Sequence, residues 1–178
     1  NLDDRKEEVK KATAMLLVGN SGFCSGTLIN NTNNDGTPYV LTANHCGGNE
    51  GFWSFRFNWR SPNPSCGTTT PSTNGTFDQT VSAAILRAAS SFSDMELVEI
   101  TDANFFNNNP DVVWAGWNRS LTDVPQPSFG IHHGAGDIQK VTRWDIPGQR
   151  ININFNGNPN TRVWWLPQYG AGYIEPGS

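Results

Sequence analysis

Tyr39-Val40-Leu41-Thr42-Ala43-Asn44-His45-Cys46 reads as a short apolar strand that ends on a histidine, with a cysteine directly behind it. Another cysteine, Cys24, lies upstream in Phe23-Cys24-Ser25-Gly26-Thr27-Leu28-Ile29, itself a strand-like run. A histidine at a strand end is held by the sheet behind it, as an imidazole must be held for catalysis. A lone histidine is more often a satisfied core or loop residue, so the case rests on what surrounds it.

Outward from that stretch, residues 12–19 predict a strand, Asn20-Ser21-Gly22 a hairpin turn, and residues 23–30 the return strand. Further strands are expected at 52–59, 81–88 and 95–100, with a long polar loop over 60–80. Phe105-Phe106-Asn107-Asn108-Asn109-Pro110 reads as a linker. Beyond it, strands are expected at 112–117, 129–132, 139–144, 151–155 and 162–166. Residues 1–11 carry early aspartates and late lysines, a weak helix pattern. Only 16% of residues are charged, and 18 Gly and 11 Pro supply turns, so the chain should be all-β with many short strands. Two runs of strands about a linker point to two small antiparallel β-barrels, 1–108 and 109–178.

The net charge of −4 offers no basic footprint, so neither nucleic acid nor an anionic membrane surface is an expected partner. No apolar run reaches the roughly eighteen residues a spanning helix needs. The polar start at Asn1 has the look of a mature or trimmed product. If Cys24 and Cys46 pair, Cys66 is left over, and an odd cysteine in a secreted protein implies a missing partner. Few charges and Asn- and Ser-rich loops favour an oxidising, extracytoplasmic compartment. No Cys/His spacing suits zinc, and no metal or cofactor is expected.

Nucleophilic acyl transfer needs a base beside the nucleophile and a carboxylate that orients the base. Asp94, in Ser91-Phe92-Ser93-Asp94-Met95-Glu96-Leu97-Val98-Glu99-Ile100, stands at the mouth of a strand, 49 positions after His45. Asp78 and Asp102 compete less well, one in a loop and one at a strand exit. Glu96 and Glu99 read as solvated. Adjacent histidines on a strand face opposite sides, so His132 and His133 should be structural, with a metal hydrolase built on either as a minor reading.

Together these segments resemble the trypsin/chymotrypsin-type serine endopeptidases, whose chain order is His, Asp, Ser. Phe23–Ile29 matches the strand before the histidine, Leu41–Cys46 the histidine motif, and Asp94–Ile100 the aspartate strand. The chain is most similar to the bacterial lysyl endopeptidase branch, through Val113-Trp114-Ala115-Gly116-Trp117, Ile131-His132-His133 and Tyr173-Ile174-Glu175-Pro176-Gly177-Ser178. The resemblance implies two six-stranded-type antiparallel β-barrels, the second incomplete in this chain. It makes His45 general base and then general acid, Asp94 its orienting partner, and Cys24–Cys46 a structural disulfide. Gly177 would give one backbone N–H of the oxyanion hole.

The branch's serine motif reads Gly-Ser-Ser-Gly-Ser-Pro, with the second serine attacking. Ser178 therefore matches the residue before the nucleophile, and the nucleophile would lie one residue further on. The register in which Ser178 itself attacks is the lesser one. A cysteine in the loop holding Cys66 pairs, in this branch, with one near the mature N-terminus. Both points lead to the expectation of a fragment trimmed at each end, with a complementary C-terminal segment or chain supplying the nucleophile. The resulting reading is a secreted bacterial serine endopeptidase acting on polypeptides, with lysine selectivity in question because Tyr173 stands six before the expected serine. The alternative is a catalytically inactive protease-like domain used for binding or adhesion.

Overall fold

Apolar and polar residues alternate along several short segments of the first hundred positions, and the computed structural model pairs these and their neighbours into one antiparallel sheet of seven strands. It describes residues 2–64, 73–120, 122–124, 126–155 and 157–178; Cys66, the unpaired cysteine of the sequence reading, lies outside them. The strands are β1 (Thr13–Val18), β2 (Ser21–Ile29), β3 (Tyr39–Thr42), β4 (Trp53–Phe57), β5 (Thr80–Ser82), β6 (Ala84–Ser90) and β7 (Met95–Ile100). Their order is β5-β4-β1-β2-β3-β7-β6. Helix α1 (Leu2–Val9) precedes them, as the charge pattern of the first residues predicts.

The two edge strands are neighbours in the chain, separated only by Ala83. Ala83 takes a left-handed backbone (φ 69°). Its N–H donates to Trp53 O (2.9 Å) and its carbonyl accepts from Thr101 N–H (3.0 Å). β5 and β6 are therefore one bent strand, paired with β4 before the bend and with β7 after it, and the sheet closes into a barrel. Asp102 secures the bend by accepting from Ser82 N–H (3.0 Å) and Asn104 N–H (2.8 Å), and these bonds hold its carboxyl below the usual range. That is a structural post, and it removes Asp102 from contention as a catalytic carboxylate.

Ala14, Leu16, Cys24, Leu28, Val40, Phe55, Phe57, Val98 and Ile100 fill the barrel interior. β1 is buried on both faces, which explains its unbroken apolar run. Met15 and Leu17, on its outer face, pack with Trp59 and Ile138. Ile138 comes from the second half of the chain, so that half seats against the outside of β1.

The hairpin turn falls at Gly19-Asn20 rather than 20–22, because β2 already begins at Ser21. The strand expected over 112–117 is not formed. After α2 (Phe105–Asn108), that segment makes one bridge, Ala115 with Ile29, through bonds to Leu28 O and Asn30 N–H. The β1 ladder reaches only Thr27, so β2 has no more than that short end to offer. Val112, Val113 and Trp114 pack on the barrel core instead.

The second half holds two hairpins, β8 (Ser128–His132) with β9 (Lys140–Trp144), and β10 (Gln149–Phe155) with β11 (Asn158–Trp165). Ala171 makes one isolated antiparallel bridge to β9 at Arg143 (2.9 Å). This is an incomplete barrel beside a closed one. Among the described residues no helix is long and apolar enough to cross a membrane.

Candidate active site

β3 ends at Thr42, and the chain tightens into a 3-10 turn, Asn44–Cys46, that lifts His45 out of the barrel's end. Asp94 sits at the entrance of β7, the strand paired with β3, in a left-handed conformation (φ 50°) that aspartate tolerates. Both of its oxygens face His45. Oδ1 accepts the His45 backbone N–H (2.9 Å) and Oδ2 lies 2.7 Å from Nδ1. Facing an acceptor-only carboxylate, a neutral imidazole takes the tautomer with its proton on Nδ1 and its lone pair on Nε2. The imidazole is about two-thirds open to solvent (64%), whereas Asp94 is mostly covered (20%). One side of the ring is open to solvent, and the other is anchored.

Cys24 and Cys46 form a disulfide with a Cα separation of 6.4 Å, tying β2 to the histidine turn. The donor atoms of Cys24, His45 and Cys46 lie within 4.8 Å of one another. Because the two sulfurs are bonded to each other, the group is a disulfide beside an imidazole, not a ligand set.

Glu96 overturns its sequence reading. It is 2% exposed and points with Val98 and Ile100 into the barrel, not into water. Its carboxylate presses so closely under the histidine turn that a Cβ on Gly47 would fall 2.0 Å from Oε2. Burial, and then the charge of Glu50, push its pKa up, partly offset by the Asn44 side chain. Glu99, on the opposite face, pairs with Arg87 (2.7 Å). A buried carboxylate whose pKa is raised weakens the fold where it ionises, at higher pH, and that charge penalty disappears once it is protonated. Glu96→Gln should therefore raise unfolding stability by on the order of 1 kcal/mol at pH 8, and the gain should vanish near pH 4. Denaturant titrations at both pH values check it; an equal gain at each would refute the charge argument.

The last residues come to the same end of the barrel. Glu175 and Ser178 close a tight turn: Ser178 N–H donates to Glu175 O (3.1 Å), and Glu175 N–H donates to Ser178 Oγ (3.0 Å). Gly177 (φ 88°) lies against Phe23 O, with 3.2 Å to the place a Cβ would occupy. Ser25 Oγ donates to Gly177 O (2.6 Å). Phe23 and Ser25 flank Cys24, and Cys24 is bonded to Cys46, the neighbour of His45. One short stretch of β2 thus touches both the terminal turn and the histidine turn.

Ser25 and Glu96 are the residues the sequence reading missed. Glu96 left a signal, since alternation with Val98 and Ile100 puts it inside. Ser25 left none, because its partners lie far along the chain. His132 and His133 are both buried (6% and 1% exposed).

The family model of the lysyl endopeptidase C-terminal domain matches residues 1–178. Among solved structures, the chain is similar to the Rv3671c protease of M. tuberculosis in an inactive form, with a TM-score of 0.56 at 10% identity over 96% of this chain and 70% of that one. It is also similar to the MamO protease domain from Magnetospirillum magneticum, with a TM-score of 0.51 at 13% identity over 97% of this chain and 78% of that one. The protease Anisep from Arthrobacter nicotinovorans gives a TM-score of 0.51 at 15% identity over 92% of this chain and 80% of that one. At such identities the structural likeness speaks to the fold alone, a trypsin-like protease fold.

Proposed function

The chain belongs to the lysyl endopeptidase C-terminal domain family, and from that premise we propose that it carries the base, its orienting acid and part of the oxyanion hole of a secreted serine endopeptidase. The observation that supports this most directly is the two-point grip of Asp94 on His45, at N and Nδ1 together. The proposed nucleophile is a serine one position after Ser178, where the family's serine motif would place it. Ser178 itself is the weaker candidate, because its Oγ is engaged by Glu175 N–H and packs beside Gly134.

In this reading His45 Nε2 takes the proton of the attacking hydroxyl as its oxygen bonds to the scissile carbonyl carbon. The carbonyl oxygen, now negative, is received by the N–H of Gly177 and that of the nucleophile. When the C–N bond breaks, His45 returns the proton to the leaving amine. Water then repeats the sequence on the acyl-enzyme and frees the acid. Asp94 remains ionised and stabilises the imidazolium.

The chain divides functionally near residue 108, with His45 and Asp94 on the closed barrel and Gly177 on the incomplete one. The family's description supports selectivity for lysine before the scissile bond. Tyr173 is no carboxylate, so that selectivity would be set by residues elsewhere. The disulfide supports an oxidising compartment.

Fluorophosphonate treatment of the full-length protein tests the proposal. Peptide mapping should place the label on the serine after Ser178, and His45→Ala should abolish it. A folded protein that takes no label would be the inactive, binding form of this fold. Label on Ser178 would move the register by one.

A further inference from the structure

We propose that Ser25 is a positioning residue for the oxyanion loop, a one-hydroxyl relay that sets the peptide after Gly177 from the backbone of His133. The inference rests on the serine endopeptidase reading above. It concerns a residue on the opposite barrel from the nucleophile, and it gives a purpose to the His132-His133-Gly134-Ala135-Gly136-Asp137 segment.

The relay is built from two short bonds. His133 N–H donates to Ser25 Oγ (2.8 Å), and Ser25 Oγ–H donates to Gly177 O (2.6 Å). A hydroxyl has one proton, and its rotor is ordinarily free to choose among acceptors. With a lone pair held by His133, the proton has one place to go. Its 2.6 Å contact lies at the short end of the range for such bonds.

Gly177 needs that hold. Its left-handed backbone, close against Phe23 O, would strain any side chain, and glycine confers no stiffness of its own. Each flanking peptide is pinned through its carbonyl. Ala135 N–H donates to Pro176 O (2.7 Å), and Ser25 holds Gly177 O. Across a planar trans peptide the N–H points opposite to the C=O. Fixing Pro176 O therefore aims the Gly177 N–H, and fixing Gly177 O stops the next peptide from turning over.

The anchor is itself rigid. His133 is 1% exposed, stacks on Trp59 (6.2 Å, 9° between planes), and its Nδ1–H donates to Asp137 O (3.0 Å). Gly134 packs so closely under the terminal turn that a Cβ there would lie 2.9 Å from both Glu175 Cβ and Ser178 Oγ. The loop that would carry the oxyanion donors thus rests on two supports, one from each half of the chain, and Ser25 is where they meet.

The test compares Ser25→Thr with Ser25→Val in the full-length protein, since the two side chains differ in little but the hydroxyl. Ser25→Thr should keep kcat within about 3-fold of the parent. Ser25→Val should lower it about 30-fold with KM changed less than about 2-fold, a smaller loss than removing a hole donor outright. Affinity for a peptide aldehyde, which forms a tetrahedral oxyanion, should fall in parallel with kcat. Ser25→Ala, which adds no bulk, should follow Ser25→Val if the latter folds poorly by thermal melt. Equal kcat for the Thr and Val variants, or a loss confined to KM, would overturn the relay. Loss of fluorophosphonate labelling in His45→Ala stands apart from these outcomes, so the triad and the relay fail separately.

Discussion

Asp94→Asn in the full-length protein is expected to lower kcat about 10,000-fold while leaving KM within a few-fold. The size follows from the geometry. The His45 backbone N–H needs an acceptor, and Oδ1 provides it at 2.9 Å. In asparagine the carbonyl oxygen is the atom that can take that role. The amide NH2 is then turned to the place of Oδ2, 2.7 Å from Nδ1. A donor facing Nδ1 selects the tautomer with its proton on Nε2, and that nitrogen can no longer accept one. The residue stays folded and in place but faces the substrate with the wrong end of its proton. Steady-state kinetics on a peptide substrate, with fluorophosphonate labelling as a second readout, decide the matter. A loss smaller than about 10-fold would mean that Asp94 does not set the tautomer.

How much of this was legible differs from residue to residue. His45 and Asp94 could be found because each stands at the end of a strand with a recognisable pattern, and β3 and β7 pair directly. The barrel's closure could not. Ala83 takes a left-handed backbone without being glycine, so no turn signal marks the bend that lets β5 and β6 seal the sheet. The segment 112–117 carries strand-forming residues, but pairing depends on a free edge, and β2 had only its last residues to spare. Glu96 was readable in principle: period-2 alternation with Val98 and Ile100 outranks the habit of placing carboxylates in water. Ser25 was not readable. Its bonds reach across 108 and 152 positions, and a serine in a strand carries no trace of distant partners.

Acidification should destabilise the protein through His133, with the steepest loss between the ordinary histidine value and about 4. Burial is the main cause of its lowered pKa, with the bond to Asp137 O working the other way and His132, Asp137 and Arg56 adding smaller charge effects. The fold holds His133 neutral, whereas the unfolded chain protonates it near 6.5. A group whose folded pKa is depressed contributes its full stability above the unfolded value, and that contribution is lost as pH falls through the window to about 4. One proton taken up only by the unfolded chain across that window corresponds to roughly 3 kcal/mol. His132, also lowered mainly by burial, adds to the trend, while Glu96 opposes it, because its raised pKa favours the folded state as acid is added. The difference between parent and variant isolates His133. His133→Phe keeps a ring against Trp59 and removes the titration, so its stability should be nearly flat where the parent's falls. Chemical denaturation at half-unit intervals from pH 7 to 4 measures both slopes. Parallel slopes would place the acid sensitivity elsewhere.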